Sequence, residues 1–253
     1  MTVHVVGNAC IDTTFRVAHF PAPGETLDAL SSDEGLGGKG LNQAVAARRT
    51  GAHVRFHAAV GRDAAAMRIR EGLRAETMDD GDLVEVDQPT DRSVVMVDRD
   101  GENRIVSITN CARIFLPAAT AAFAASLASG DLLVLQGNLT AEATIACLAQ
   151  GRAAGALTVF NPSPMTEAIR VPLTLVDLLV VNTPEAATLA GIPNAAMAVR
   201  ALRDAGARGV IVTEGAEGAI FADASGLPVF RPRRWWWPTP VVPGTFSAEC
   251  SPG

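Results

Sequence analysis

Gly35-Leu36-Gly37-Gly38-Lys39-Gly40-Leu41-Asn42-Gln43-Ala44-Val45-Ala46-Ala47 is a glycine cluster that passes, through a lysine and an asparagine, into an alanine-rich segment predicted to be helical over 42–50. Residues without a Cβ let the backbone come close to a polar ligand. The start of the helix behind them presents N–H groups with no partner inside the helix. Lys39 adds a cation, and Asn42 a two-sided amide, at the same mouth.

Outward from this segment, apolar runs alternate with alanine-rich ones. Strands are predicted at 3–6, 54–59, 131–136, 156–160, 176–181 and 209–213. Helices are predicted at 64–75, 118–128, 140–154, 184–190 and 195–205. Strands spaced by helices imply βαβ units and a mainly parallel sheet covered on both faces. Two polar, β-rich segments, 13–34 and 91–109, break the rhythm, and the second reads as a hairpin turning at Asp100-Gly101. Such strands do not fit a parallel core, so they are placed as a small β-lid over one edge.

Length and composition set bounds. The 253 residues, 48% of them hydrophobic, suffice for one large α/β domain. A formal charge of −6 argues against a broad nucleic-acid or acidic-membrane surface. The sequence enters directly on a strand without a signal-peptide pattern, and no apolar run approaches a membrane span. Cys10, Cys111, Cys147 and Cys250 lie far apart, so they are expected to be reduced thiols in a cytoplasmic protein. His4, His19, His53 and His57 show neither triad nor metal spacing and are read as structural.

Gly35-x-Gly37-x-x-Gly40 formally matches the dinucleotide-binding fingerprint, but that fingerprint belongs to the turn after the first strand, which here ends near Gly7. A Walker A loop is excluded because Lys39 is followed by Gly40 rather than Ser or Thr. The run, with Pro23-Gly24-Glu25 before it and Asn42-Gln43-Ala44 after it, closely resembles the first signature of the ribokinase-like (PfkB) family of sugar and nucleoside kinases. The resemblance covers about residues 1–230. It implies a ribokinase-like three-layer α/β/α domain with a mainly parallel central sheet and a β-lid. It also implies transfer of the ATP γ-phosphate to a hydroxymethyl group of a sugar, with a nucleoside as the rival acceptor.

By that resemblance Asp12, Gly38, Lys39, Gly40, Asn42 and Asn138 line the sugar pocket. Val180-Val181-Asn182-Thr183-Pro184-Glu185 resembles the family's N-x-x-E motif, which assigns Mg²⁺ to Glu185 with Asn182 nearby. The alternative is that these two residues merely cap the helix at Pro184. Thr213, Gly215 and Gly218 resemble the nucleotide loop, and Asn161-Pro162-Ser163-Pro164 a strand-end motif. Gln136-Gly137-Asn138 departs from the ribose-kinase pattern, which has an acidic residue where Asn138 stands, and this puts ribose itself in question. The resemblance also raises dependence on a monovalent cation and a homodimer formed through the lid.

Phosphoryl transfer needs an anion-holding turn and a base within reach of the attacking hydroxyl. The family supplies both in D-T-x-G-A-G-D. Here the corresponding stretch reads Pro238-Thr239-Pro240-Val241-Val242-Pro243-Gly244-Thr245-Phe246, and no Asp follows Asp223. Back-translating from Arg231 and reading two bases later permits P-A-P-V-V-V-A-D-T-S-G-A-G-D. A frameshift near Phe230 is therefore expected, leaving 231–253 as an irregular tail and the terminal helices missing. Two consequences follow as expectations. The chain as written is expected to be an inactive or nearly inactive sugar kinase, with a non-catalytic sugar- or nucleotide-binding protein as the alternative, and to expose apolar sheet surface that the helices would cover.

Overall fold

The computed structural model describes residues 1–223 and 229–230. The tail predicted over 231–253 lies outside the described residues. The main sheet contains β1 (Val3–Val6), β4 (Val54–Val60), β5 (Leu83–Glu85), β8 (Leu132–Gln136), β9 (Leu157–Asn161), β10 (Leu178–Asn182), β11 (Gly209–Thr213), β12 (Ala219–Ala222) and β13 (Val229–Phe230). Their order is β13-β12-β11-β10-β9-β8-β1-β4-β5. All pairs are parallel except β11–β12 and β12–β13. A second sheet is built from β2 (Cys10–Arg16), β3 (Ser31–Gly37), β6 (Arg92–Val97) and β7 (Asn103–Ile108), in the order β3-β2-β6-β7.

The helices are α1 (Lys39–Arg49), α2 (Ala64–Ala75), α3 (Asn110–Ile114), α4 (Ala121–Ser126), α5 (Ala141–Ala153), α6 (Met165–Ala168), α7 (Thr183–Ala190) and α8 (Ala195–Asp204). Strand alternation sorts the apolar residues into two cores. Val3, Val5, Val54, Phe56 and Ala58 pack with Leu41, Ala44, Ile69 and Leu73 of α1 and α2. Val6, Leu133, Leu135, Phe160, Leu179, Val181, Val210 and Val212 pack with Cys147 and Leu148 of α5, Ala186 of α7 and Val199 and Leu202 of α8. Helix, sheet and helix thus form the three layers expected, with a mainly parallel sheet at the centre.

Several boundaries differ from the sequence reading. The helix expected over 118–128 is broken. A 3-10 turn covers Pro117–Ala119, and α4 starts only after Thr120, whose Oγ1 accepts the Phe123 N–H at 3.2 Å. The strand expected over 176–181 starts at Leu178, because Val176 is consumed in a turn in which its N–H bonds Leu173 O. The second sheet is wider than 13–34 and 91–109, since its first two strands run from Cys10 and up to Gly37. His57 lies within β4 rather than bracketing it. There its ring stacks on His4, with centroids 5.4 Å apart. Among the described residues, no helix is long and apolar enough to cross a membrane.

Candidate functional site

The strand order reverses between β1 and β8. From β1 the chain proceeds outward to β4 and β5, then returns to β8 and proceeds the other way. In open parallel sheets, the carboxyl ends of the strands at such a reversal form a ligand crevice. Gly7 and Asn8 follow β1 here, Gly137 and Asn138 follow β8, and the Gly37–Gly40 turn packs against Gly7 and Asn8.

The glycines of that turn are there for close approach. Gly38 sits at φ 99°, which L side chains rarely adopt, and a Cβ on it would fall 2.7 Å from Asn8 O. A Cβ on Gly40 would fall 2.8 Å from Asn8 N and Gly7 Cα. Asn8 fastens the start of α1. Its carbonyl accepts the Leu41 N–H at 3.1 Å and its Oδ1 the Gly40 N–H at 3.3 Å. Lys39 and Asn42 are thereby held in the first turn of α1, at the crevice.

Asp12 reaches the same place from β2. Cys10 pairs with Gly37 across the β2–β3 ladder, and the Asp12 carboxyl group folds over Gly37, where a Cβ would fall 2.2 Å from it. The Cys10 thiol donates to Asp12 Oδ1 at 3.1 Å. Burial raises the Asp12 pKa, and hydrogen bonds from Cys10 and Ser93 pull it back. Burial beside that carboxylate pushes the Cys10 thiol far above the usual range, so it is a donor and not a nucleophile.

The floor is made of amides. Gln136 is fully buried, and its Nε2 donates to Gln43 Oε1 at 2.6 Å, tying the sheet to α1. Asn42 Oδ1, Gln136 Oε1 and Asn138 Oδ1 are buried without a hydrogen-bond partner. A buried orphan acceptor costs about 1–3 kcal/mol, and three at one crevice mark where O–H donors belong. Asp12 and the Gly38–Asn42 turn thus pack around Gly7 and Asn8 at the end of β1, and Asn138 follows the adjacent strand β8. Cys10, Gln43 and Gln136 are the additions that the sequence reading missed. The i, i+2 spacing of Cys10 and Asp12 on one strand face was the available signal.

The second group lies at the ends of β10 and β11, whose termini Asn182 and Thr213 are paired in register. One strand, β9, separates β10 from β8, which puts the two halves about 10 Å apart. Asn182 and Glu185 form a capping box. Asn182 Oδ1 accepts the Glu185 N–H at 2.8 Å, and Glu185 Oε2 accepts the Asn182 N–H at 3.0 Å. The capping alternative is therefore real, and it occupies one Glu185 oxygen. Gly215 (φ 60°) and Gly218 (φ 112°) close the turn to β12, with open space beside Gly215.

Among the described residues, no atom lies within 4 Å of a Cβ built on Gly215, which leaves room for a phosphate beside the turn. For Mg²⁺, among the described residues no three His, Cys, Asp or Glu side chains gather. A single half-occupied carboxylate suits an ion that keeps its waters and takes its remaining ligands from phosphate. Were ATP and Mg²⁺ held there, they would supply the phosphoryl group and the neutralising charge.

Residues 2–234 match the pattern of the pfkB family carbohydrate kinases. The chain belongs to that family. A bifunctional ribokinase/ribose-5-phosphate isomerase A of Fructilactobacillus sanfranciscensis is 30% identical over 252 residues, covering 97% of this chain and 46% of that relative. A ribokinase structure from Thermotoga maritima superposes with a TM-score of 0.81 at 26% identity, covering 91% of this chain and 77% of its own. A ribokinase from Cryptococcus neoformans in complex with ADP gives 0.77 at 28% identity, covering 93% and 80%. The pfkB chain described here thus spans about half of the two-enzyme relative and four fifths or less of the ribokinase structures.

Proposed function

We propose that this chain binds a sugar at the β1–β8 crevice and ATP at the β10–β11 ends, as an ATP-dependent sugar kinase of the ribokinase type phosphorylating a hydroxymethyl group. The observation that carries the reading is the Asp12 carboxylate folded over Gly37 at the strand-order reversal, with buried, unpartnered amide oxygens on Asn42 of α1 and on Gln136 and Asn138 at the end of β8. Asp12 and the amides accept hydroxyl protons of a polyol, which fixes which hydroxyl faces the nucleotide side. Lys39 supplies a cation at the start of α1. Glu185 holds Mg²⁺ through water, and Asn182, Thr213, Gly215 and Gly218 border the phosphates. The ADP complex of the Cryptococcus relative supports the nucleotide half.

The same reading holds the chain as written short of turnover. Where the resemblance places the general base, residues 238–246 contain no Asp, Glu or His, and they lie outside the described residues. Without a group to take the hydroxyl proton, transfer loses about 10²–10⁴ in rate. The two-base shift in reading frame explains that loss, and sequencing the gene across codons 225–260 tests it.

A cytoplasmic location is supported by three buried, unpaired thiols, Cys10, Cys111 and Cys147. Pairing of two copies through the second sheet is supported by β7, which exposes Ile105, Val106 and Ile108. Calorimetry with a sugar panel that includes adenosine, and ATP turnover assayed with and without potassium, test the reading. The expected result is sugar and Mg·ATP binding without turnover. Rapid turnover overturns the missing-base claim, preference for adenosine makes the chain a nucleoside binder, and absence of all binding sinks the proposal.

A further inference from the structure

A small cavity opens beside Asn138, bounded by Thr109, Arg113, Gly137, Asn138, Thr140 and Thr166. It joins three elements: the end of β7 with α3, the loop after β8, and the loop after β9. Gly137 lets the two loops touch, since a Cβ there would fall 2.1 Å from Pro164 O.

The chemistry of the walls is one-sided. Among the described residues, Arg113 is the sole charged residue lining the cavity. Among the described residues, no carboxylate lies within ion-pair distance of it. Thr109 starts α3 without using its hydroxyl as a cap. Thr140 Oγ1 accepts the Ala143 N–H at 3.2 Å, which leaves its own proton to donate. Asn138 also lines the cavity. A guanidinium and three hydroxyls, with no acid among the described residues that line the cavity, form a donor-rich pocket for an anion.

Size narrows the ligand. About 50 Å³ is open to the centres of water-sized groups, and one water needs about 10–15 Å³ by that measure. Three or four oxygens fit, which is the volume of a carboxylate or a phosphate head and too little for a sugar ring.

We infer that the sugar taken by this chain carries an anionic group, a carboxylate or a phosphate, which seats against Arg113 while its hydroxyls face Asp12 and the amides. This rests on the sugar-kinase reading above and sharpens its substrate class. Asn138 belongs to both the crevice and this cavity, so one ligand spans them.

The test is calorimetry on the intact chain with neutral sugars, their aldonates and their monophosphates, and with inorganic phosphate alone. Each is measured on wild type, Arg113→Gln and Arg113→Lys. Arg113 is exposed, so the variants are expected to keep the wild-type melting temperature. At least one charged sugar should bind ~tenfold more tightly than its neutral parent. Arg113→Gln should erase that preference without changing affinity for the parent, and Arg113→Lys should keep part of it. The carboxylate and phosphate arms show which group is used. Neutral parents binding as tightly as every charged counterpart, or a preference that survives Arg113→Gln, overturns the inference. Arg113-dependent binding of phosphate with no sugar bound upholds the anion pocket and fails the sugar reading. No binding of phosphate or of any sugar fails both.

Discussion

Asp12 and Gly37 act as one unit, because the carboxyl group occupies the space where a Gly37 side chain would start. In Gly37→Ala the new Cβ meets the end of a movable side chain, so Asp12 swings away while the sheet stays intact. The expected result is a stability change of about 1 kcal/mol or less and a loss of sugar affinity matching that of Asp12→Asn. Gly40→Ala behaves oppositely. Its Cβ meets the backbone of Asn8 and Gly7, so α1 must shift and about 2–3 kcal/mol of stability is lost. Denaturant melts and sugar titrations on the three variants separate the two outcomes. His57 offers a titration test. Burial lowers its pKa to about 4, against the pull of Asp82 and with help from His4 and Arg55. The folded state therefore keeps it neutral where the unfolded chain binds a proton. Stability from this group is complete above pH 6.5, falls by up to about 1.4 kcal/mol per pH unit as pH drops toward 4, and is flat below. Asp91, raised by burial to about 6, acts in the opposite direction below pH 6. The His57 contribution is thus read as the difference between wild type and His57→Gln across pH 7.5 to 4.5. A difference that does not vary with pH contradicts the assignment.

At the level of elements, the capping box that starts α7 serves two purposes that a substitution can separate. Glu185→Gln retains an oxygen to accept the Asn182 N–H, so helix and fold stay within about 0.5 kcal/mol of wild type. Removing the cap by Asn182→Ala costs about 1 kcal/mol. If Glu185 also serves Mg²⁺, Glu185→Gln weakens Mg·ATP binding while leaving magnesium-free ADP binding and the melting temperature unchanged. Equal affinities would reduce Glu185 to a cap. The cap was legible because an Asn followed three residues later by Glu, with Pro in the first turn, is a helix-start pattern. The break at Thr120 was not legible, because the alanines on both sides carry no apolar stripe, and only the Thr120 side chain decides where α4 starts. The extent of the second sheet was missed for a related reason. Cys10-Ile11-Asp12 reads as the exit of a core strand, but Ile11 turns into the α1–α2 core while Asp12 turns toward Gly37.

Across the whole molecule, alternation in the central strands made the two cores readable, and it also marks a partly exposed apolar face among the described residues. On β8 to β12 the residues facing the α5–α7–α8 layer are buried. Their alternates, Leu157, Val159, Leu178, Val180 and Ile211, are half-buried or exposed and belong to neither core, with Leu157 49% exposed. Register places Leu178 beside Val159 and Val180 beside Ile211, so these side chains form one apolar patch. The described helices that follow β8 pack on the other face. At about 25 cal/mol per Å², even a few hundred Å² of such surface gives several kcal/mol to whatever covers it, enough to drive self-association or dye binding. The chain should therefore bind an apolar dye in its folded state and grow in hydrodynamic size with concentration. Val180→Thr with Ile211→Thr, which keep β-branching and strand propensity, should reduce both effects. A monodisperse monomer that melts cooperatively and leaves the dye dark would mean that this face is already covered, and the expectation of missing cover would fall with it.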